Sequence, residues 1–141
     1  RGSCLTGPLH RGAELHGFLS YLIKAAKERK KYYIFGYKGK QVRDNIHSED
    51  VVQAFWEFYK TNNNSGIYNI GGGRSNSCSI LEVIDILRKK HDIESKYKML
   101  KKNRSGDHIW YISDNSKFQD RHKNWKIKRN LNSIISEITA N

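Results

Sequence analysis

Gly39-Lys40-Gln41-Val42-Arg43-Asp44-Asn45-Ile46-His47-Ser48-Glu49-Asp50-Val51 sets an arginine in an extended run just ahead of a helix start. Ser48 is a favourable N-cap, and Glu49 and Asp50 fall in the first turn, where the helix dipole favours acids. Val51, Val52, Phe55, Trp56 and Tyr59 then make an apolar face. Gln41 to Ile46 reads as a strand. A guanidinium held on a strand presents a flat fork of donors that matches two oxygens of a phosphate or carboxylate, so Arg43 is a candidate anion ligand.

Working outward, Tyr32-Tyr33-Ile34-Phe35 is a β-branched and aromatic strand closed by Gly36. Tyr37 to Lys40 reads as a turn that brings the chain back as a hairpin into Gln41 to Ile46. Upstream, Leu15, Phe18, Leu19, Leu22, Ile23 and Ala26 recur at helical spacing, and Gly2 to Leu5 reads as a short strand ending at Thr6-Gly7-Pro8. Downstream, Asn62 to Gly66 breaks the helix, and Ile67 to Ile70 reads as a buried strand ending in Gly71-Gly72-Gly73. Ser79-x-x-Glu82 is a capping box for a helix to about Lys90. Tyr97 to Leu100 reads as a strand, Ser113 or Asp114 as the cap of a short helix through Phe118, and Leu131, Ile134, Ile135 and Ile138 as a C-terminal helix. Strands alternating with helices give an α/β chain.

At 141 residues the chain has the size of one domain with one core. No apolar run approaches the ~20 residues of a membrane span. No leader pattern opens the chain, and Cys4 and Cys78 form no C-x-x-C pair; both features fit a reducing, cytoplasmic setting. The formal net charge of +12, from 26 Lys and Arg against 14 Asp and Glu, raises a polyanionic partner. The basic residues fall in short, lysine-rich runs such as Lys96 to Lys102, which suits a solvated face better than base reading. Nucleic-acid binding and a non-catalytic interaction module stay open as alternatives.

Three motifs that look chemical read otherwise. Gly71-x-Gly73 lacks a third glycine, because Asn76 stands there, and lacks an acidic residue about 20 positions on, so it reads as a tight turn rather than a dinucleotide fingerprint. Tyr97-x-x-x-Lys101 has the spacing of a phenol-ammonium pair on a helix, but its segment reads extended. His47, next to the helix start, reads as a residue that orients the turn, and the other histidines show no metal-ligand spacing. No metal site is expected. Arg104-x-x-Asp107, by residues alone, is a surface pair.

Arg1-x-x-Cys4-x-Thr6-Gly7-Pro8, Gln41-Val42-Arg43-Asp44-x-Ile46-His47-x-x-Asp50-Val51 and Arg104-x-x-Asp107 together resemble the C-terminal part of the extended short-chain dehydrogenase/reductases, the NAD-dependent nucleotide-sugar epimerases and dehydratases. Within that family the chain looks most like the CDP-paratose (CDP-tyvelose) 2-epimerase group. The resemblance implies a Rossmann-type α/β architecture, here the last parallel strands plus a small α/β substrate-binding subdomain over residues 1–141. The dinucleotide loop and the catalytic Tyr-x-x-x-Lys helix would belong to an N-terminal half outside the chain, so no catalytic residue is expected in it. NAD would serve the intact enzyme and not bind this chain alone. A CDP- or UDP-linked sugar is the implied ligand, with Arg43 and Arg104 on the diphosphate, Asp107 on the ribose and Tyr33 and Phe35 bordering the base. His16, Gly17 and Cys4 align with phosphate or sugar contacts, Ser3 with a cofactor contact, and an exposed sheet edge suggests self-association.

Overall fold

The computed structural model describes residues 1–14, 16–62 and 65–141; Leu15, expected on the first helix's stripe, and Asn63 and Asn64 of the asparagine cluster lie outside them. In chain order the elements are β1 (Cys4–Thr6), α1 (Phe18–Lys27), β2 (Tyr32–Phe35), β3 (Val42–His47), α2 (Ser48–Lys60), β4 (Ser77–Ser79), α3 (Ile80–His91), β5 (Tyr97–Leu100), β6 (Trp110–Tyr111), α4 (Ser116–Arg121) and α5 (Leu131–Ala140). The strand carrying Arg43 is the axis of the fold. β3 pairs parallel with β1 through Cys4↔Asn45, Leu5↔Ile46 and Thr6↔His47, antiparallel with β4, and parallel with β6 through Val42↔Trp110 and Arg43↔Tyr111.

The expected hairpin between β2 and β3 does not form. β2 instead pairs parallel with β5, in the register Tyr32↔Tyr97 to Phe35↔Leu100. Gly36, at φ 64, turns the chain out of β2 into a 3-10 turn, and a Cβ there would lie 1.8 Å from Asn103 Oδ1. Parallel partners must come from distant sequence, and local turn chemistry cannot announce them. Ile67 to Ile70 is likewise less than a strand. Ile70 makes a single parallel bridge to Gly2, and Ile67 is exposed.

Two apolar clusters form where one core was expected. The first packs Leu19, Leu22 and Ile23 of α1 against Ile34, Val83, Leu87, Ile134 and Ile135, all essentially solvent-free. The capping box holds α3 in place as anticipated: Ser79 Oγ accepts from Glu82 N at 3.3 Å and Glu82 Oε2 accepts from Ser79 N at 2.7 Å. The second cluster gathers Ile46, Ala54, Tyr68, Phe118 and Trp125.

Helix α2 corrects two expectations. His47, not Ser48, is the N-cap, its Nδ1 accepting from Glu49 N at 3.1 Å while Nε2 lies 3.0 Å from Glu137 Oε2 of α5. The helix buries Asp50 and Ala54, and of the face expected inside Val51 is half-buried alongside Phe58, whereas Val52, Phe55, Trp56 and Tyr59 look outward at 52–78% exposed. Asp50 is committed to the loop before α5, accepting from Lys128 N at 3.0 Å and Arg129 N at 3.1 Å, and that bond set fixes which side of the helix turns in.

His122 closes the second cluster. Its ring stacks 4.2 Å from that of Phe118, and Nδ1 lies 3.0 Å from Thr61 Oγ1. Burial, with Arg121 adding, holds its proton affinity below the usual 6.5. The unfolded chain therefore takes up a proton that the folded chain resists. Stability from this site is intact above pH 6.5 and falls as the pH drops below it. Urea midpoints measured from pH 7.5 down to 5.5 should fall more steeply for the native protein than for His122→Phe; parallel curves would refute this role.

Candidate functional site

The bend from β2 into β3 and the turn at residues 104–107 enclose a cleft of about 240 Å³. Arg43, Arg104, Asp107, Tyr33, Phe35 and Cys4, the residues singled out from sequence, all line it. The turn is closed by Asp107 N donating to Arg104 O at 3.3 Å, with Gly106 in the left-handed region at φ 73, so the arginine and the aspartate arrive at the same wall. β2 supplies Tyr33 and Phe35 from the opposite side, and β3 supplies Arg43.

Arg43 is held by three acceptors. Nη1 donates to Val42 O at 2.7 Å, and Nη2 reaches both the Asp107 carboxylate and His108 O. A guanidinium has five N–H donors, so these contacts fix its plane while leaving donors to spare. Both members of the Arg43–Asp107 pair are largely shielded, with side-chain exposures of 15% and 21%. The pair is thus a rigid, partly neutralised cationic element in the wall, and Arg104 adds a second guanidinium to the same cleft.

His16 and Gly17 are not brought into the cleft. His16 lies beside His10, with ring centroids 6.3 Å apart, and Gly17 caps α1 at φ 73. Phe18, one residue on, lines the cleft instead, as do Glu14, Tyr32, Gln41, Ile80, Ser105 and Gly106. Ser105 and Gly106 lie inside the Arg104-x-x-Asp107 motif and Gln41 inside the β3 motif, so their neighbourhood was legible; Phe18 and Ile80 carried only core signals.

Ser3 is occupied in a different task. Its Oγ lies 2.6 Å from Asp44 O, also reaches the Asp44 carboxylate, and accepts from Cys4 N at 2.6 Å. Asp44 is fully buried, and its Oδ2 also accepts from Gly73 N at 2.9 Å and Ser113 N at 3.1 Å. One carboxyl group thereby ties β1, the glycine turn and the segment after β6 to β3. The glycines allow that approach: a Cβ on Gly72 would lie 1.9 Å from Asn45 O.

The same contacts test the chain as an NAD holder. Gly71 N donates to Asn115 Oδ1 at 3.0 Å and Gly73 N to Asp44, so amides that would cradle a pyrophosphate are spent inside the fold. The Gly71–Gly73 turn therefore does not offer the amides of Gly71 and Gly73 to a dinucleotide's pyrophosphate. Two protic side chains of the cleft, Cys4 and Tyr32, are held in their neutral forms. Burial, with the Asp44 charge adding and Arg43 opposing, pushes the Cys4 thiol up to about 11, and burial pushes the Tyr32 phenol up to about 12. Neither group ionises near neutrality, and neither is poised as nucleophile or base. Tyr97 lies on β5, where the helical pairing with Lys101 does not arise. Among the described residues there is no cluster of three or more His, Cys, Asp or Glu suited to a metal, and no helix long and apolar enough to cross a membrane.

The model of a family described as the NAD dependent epimerase/dehydratase family matches residues 1–71. No curated protein matches the chain. Among solved structures, MoeE5 in complex with UDP-glucuronic acid and NAD is similar at a TM-score of 0.86 and 23% identity, over 99% of this chain and 44% of that one. The UDP-glucuronic acid 4-epimerase from Bacillus cereus, in complex with UDP-glucuronic acid and NAD, gives 0.83 and 26%, over 99% and 43%. The UDP-glucose 4-epimerase from Bifidobacterium longum, in complex with NAD+ and UDP, gives 0.77 and 22%, over 99% and 45%. The chain spans less than half the length of each.

Proposed function

Because this chain belongs to the NAD dependent epimerase/dehydratase family, we propose that it is the nucleotide-sugar-binding region of an enzyme that inverts a sugar carbon with NAD held by another part of a longer protein. The observation that carries this reading is the convergence of Arg43 and Arg104 on one cleft walled by Tyr33 and Phe35. Two guanidinium groups suit a diphosphate, and aromatic side chains suit a flat base. Asp107, paired with Arg43, would accept from a ribose hydroxyl in this reading. Binding energy gathered on this nucleotide handle positions a sugar carbon for chemistry done elsewhere.

The solved structures named above contain uridine nucleotides, which favours a UDP-linked over a CDP-linked sugar. The outward apolar face of α2 supports the reading of residues 1–141 as part of a larger fold, since Val52, Phe55, Trp56 and Tyr59 form a surface suited to burial against a further domain. In isolation the same face is a route to self-association, more so than the edge of β1, which is flanked by β3 and by the Gly2 to Ile70 bridge. A cytoplasmic setting agrees with two unpaired cysteines.

Calorimetric titration tests the proposal. UDP-glucose should bind saturably at one site per chain and be displaced by UDP, with weaker binding of glucose 1-phosphate. Binding of an oligonucleotide with a steep salt slope and no response to UDP would favour the nucleic-acid alternative instead.

A further inference from the structure

β5 is an open edge. Its one strand partner among the described residues is β2, and Tyr97, Lys98 and Met99 are all exposed. Lys96 O accepts from Tyr32 N at 2.8 Å and Leu100 O from Gly36 N at 3.1 Å, so the even-numbered residues turn their backbone toward β2. By the alternation of a parallel ladder, the N–H and C=O groups of Tyr97 and Met99 point away from β2, and no hydrogen bond among the described residues engages them. A strand laid along β5 would pair with these groups.

Side chains alternate along the same edge. Tyr97 and Met99 lie on the face shared with the buried Tyr32 and Ile34, yet stay 43% and 45% exposed. Lys96 and Lys98 take the other face, and Lys101 and Lys102 continue the basic run past the strand. Residues 94–102 hold four lysines against one carboxylate, Glu94.

We propose that β5 takes up an extended segment of another protein as a third strand, one in which acidic and apolar residues alternate. The backbone of that segment would pair with Tyr97 and Met99. Its carboxylates would meet Lys96 and Lys98 on one face, and its apolar side chains would cover Tyr97 and Met99 on the other. A second copy of this chain fits poorly, because antiparallel pairing of β5 with itself brings lysines together across the seam. A nucleic acid or an anionic lipid surface would answer the charge alone and leave the backbone groups unmatched. No residue of this edge lines the cleft, so the proposal stands apart from the nucleotide reading.

Titration of the labelled chain with a capped peptide of alternating glutamate and valine tests this. The amides of Tyr97 and Met99 should shift and gain protection from hydrogen exchange, and affinity should fall as salt rises. N-methylation of the peptide at the residues that donate to β5 keeps its charge and should weaken binding by about tenfold. In the double variant Lys96→Glu, Lys98→Glu, a change confined to exposed side chains, affinity should also fall by about tenfold while the melting temperature holds. Binding that is indifferent to N-methylation, or that leaves Tyr97 and Met99 unprotected, would reduce the peptide to a counter-ion and overturn the proposal. So would the absence of binding at low salt. An oligothymidylate or a phosphatidylglycerol vesicle that protects the same two amides would overturn it in favour of a general anion surface.

Discussion

Replacing Arg43 by alanine is expected to weaken UDP-sugar binding by about 100-fold and also to lower thermal stability, since Val42 O, His108 O and the shielded Asp107 carboxylate lose their donor. Two charge-assisted hydrogen bonds to a diphosphate are lost, each worth roughly 1.5–3 kcal/mol, and about 2.7 kcal/mol already accounts for that factor. A second effect acts in the same direction. Asp107 loses the guanidinium that neutralises it and is left as a bare carboxylate facing the ligand's negative charge. Arg43→Lys should recover only part of the affinity, because an ammonium cannot span Val42 O, His108 O and the Asp107 carboxylate while also presenting a two-pronged face to phosphate. Calorimetry on the three proteins, with melting curves as a check on folding, separates these effects. Equal affinity across the three would remove Arg43 from the site.

Asp44, next along β3, should differ, with a large effect on stability that precedes any effect on binding. Its carboxyl group is buried and satisfies Gly73 N, Ser113 N and Ser3 Oγ at once. Asp44→Ala leaves Gly73 N and Ser113 N without an acceptor inside the protein, at about 1–3 kcal/mol for each, while Ser3 Oγ keeps the backbone carbonyl of residue 44, and the total is a large share of the ~5–15 kcal/mol stability of a domain. A fall in Tm on the order of 10 °C or more is expected. Asp44→Asn should be much milder, since its amide oxygen can keep both backbone N–H groups while its NH2 faces the Ser3 hydroxyl, which can accept. The circular-dichroism melt decides: a Tm within a few degrees of native in Asp44→Ala would mean that the Asp44 contacts do not hold these segments together.

The contrast between these neighbours shows what the sequence could and could not convey. The Val42-Arg43-Asp44 run was legible as an extended segment carrying a candidate anion ligand, because its residue types and the helix start behind it carry local signals. The role of Asp44 was not legible, because its partners Ser3, Gly73 and Ser113 are scattered along the chain and nothing local marks them as neighbours. Pairing failed for the same reason. β2 looked like half of a hairpin, yet its partner β5 is more than 60 residues away, and parallel register leaves no turn signature.

Helix α2 shows a second kind of ambiguity. Apolar residues occupy two of its faces, Val51, Ala54 and Phe58 on one and Val52, Phe55, Trp56 and Tyr59 on the other, and the sequence reading joined Val51 to the second set as one inner face. What turned the helix was polar: the bonds from Asp50 to the backbone at Lys128 and Arg129, which no periodicity reports. In the cleft, Arg104 and Asp107 read from sequence as a surface pair, and the resemblance to the epimerases first tied them to Arg43. Gln41 went unread because an amide beside a charged motif looks like solvated polarity until its burial and its single bond are known.

Amide chemical shifts recorded while UDP is added to the labelled chain test the central claim most directly. The shifts should move, saturably and together, at Tyr33, Phe35, Gln41, Arg43 and residues 104–107, from both sides of one cleft. Movement confined to the lysine-rich surface, or at one arginine without the other, would contradict the shared diphosphate site on which the account depends.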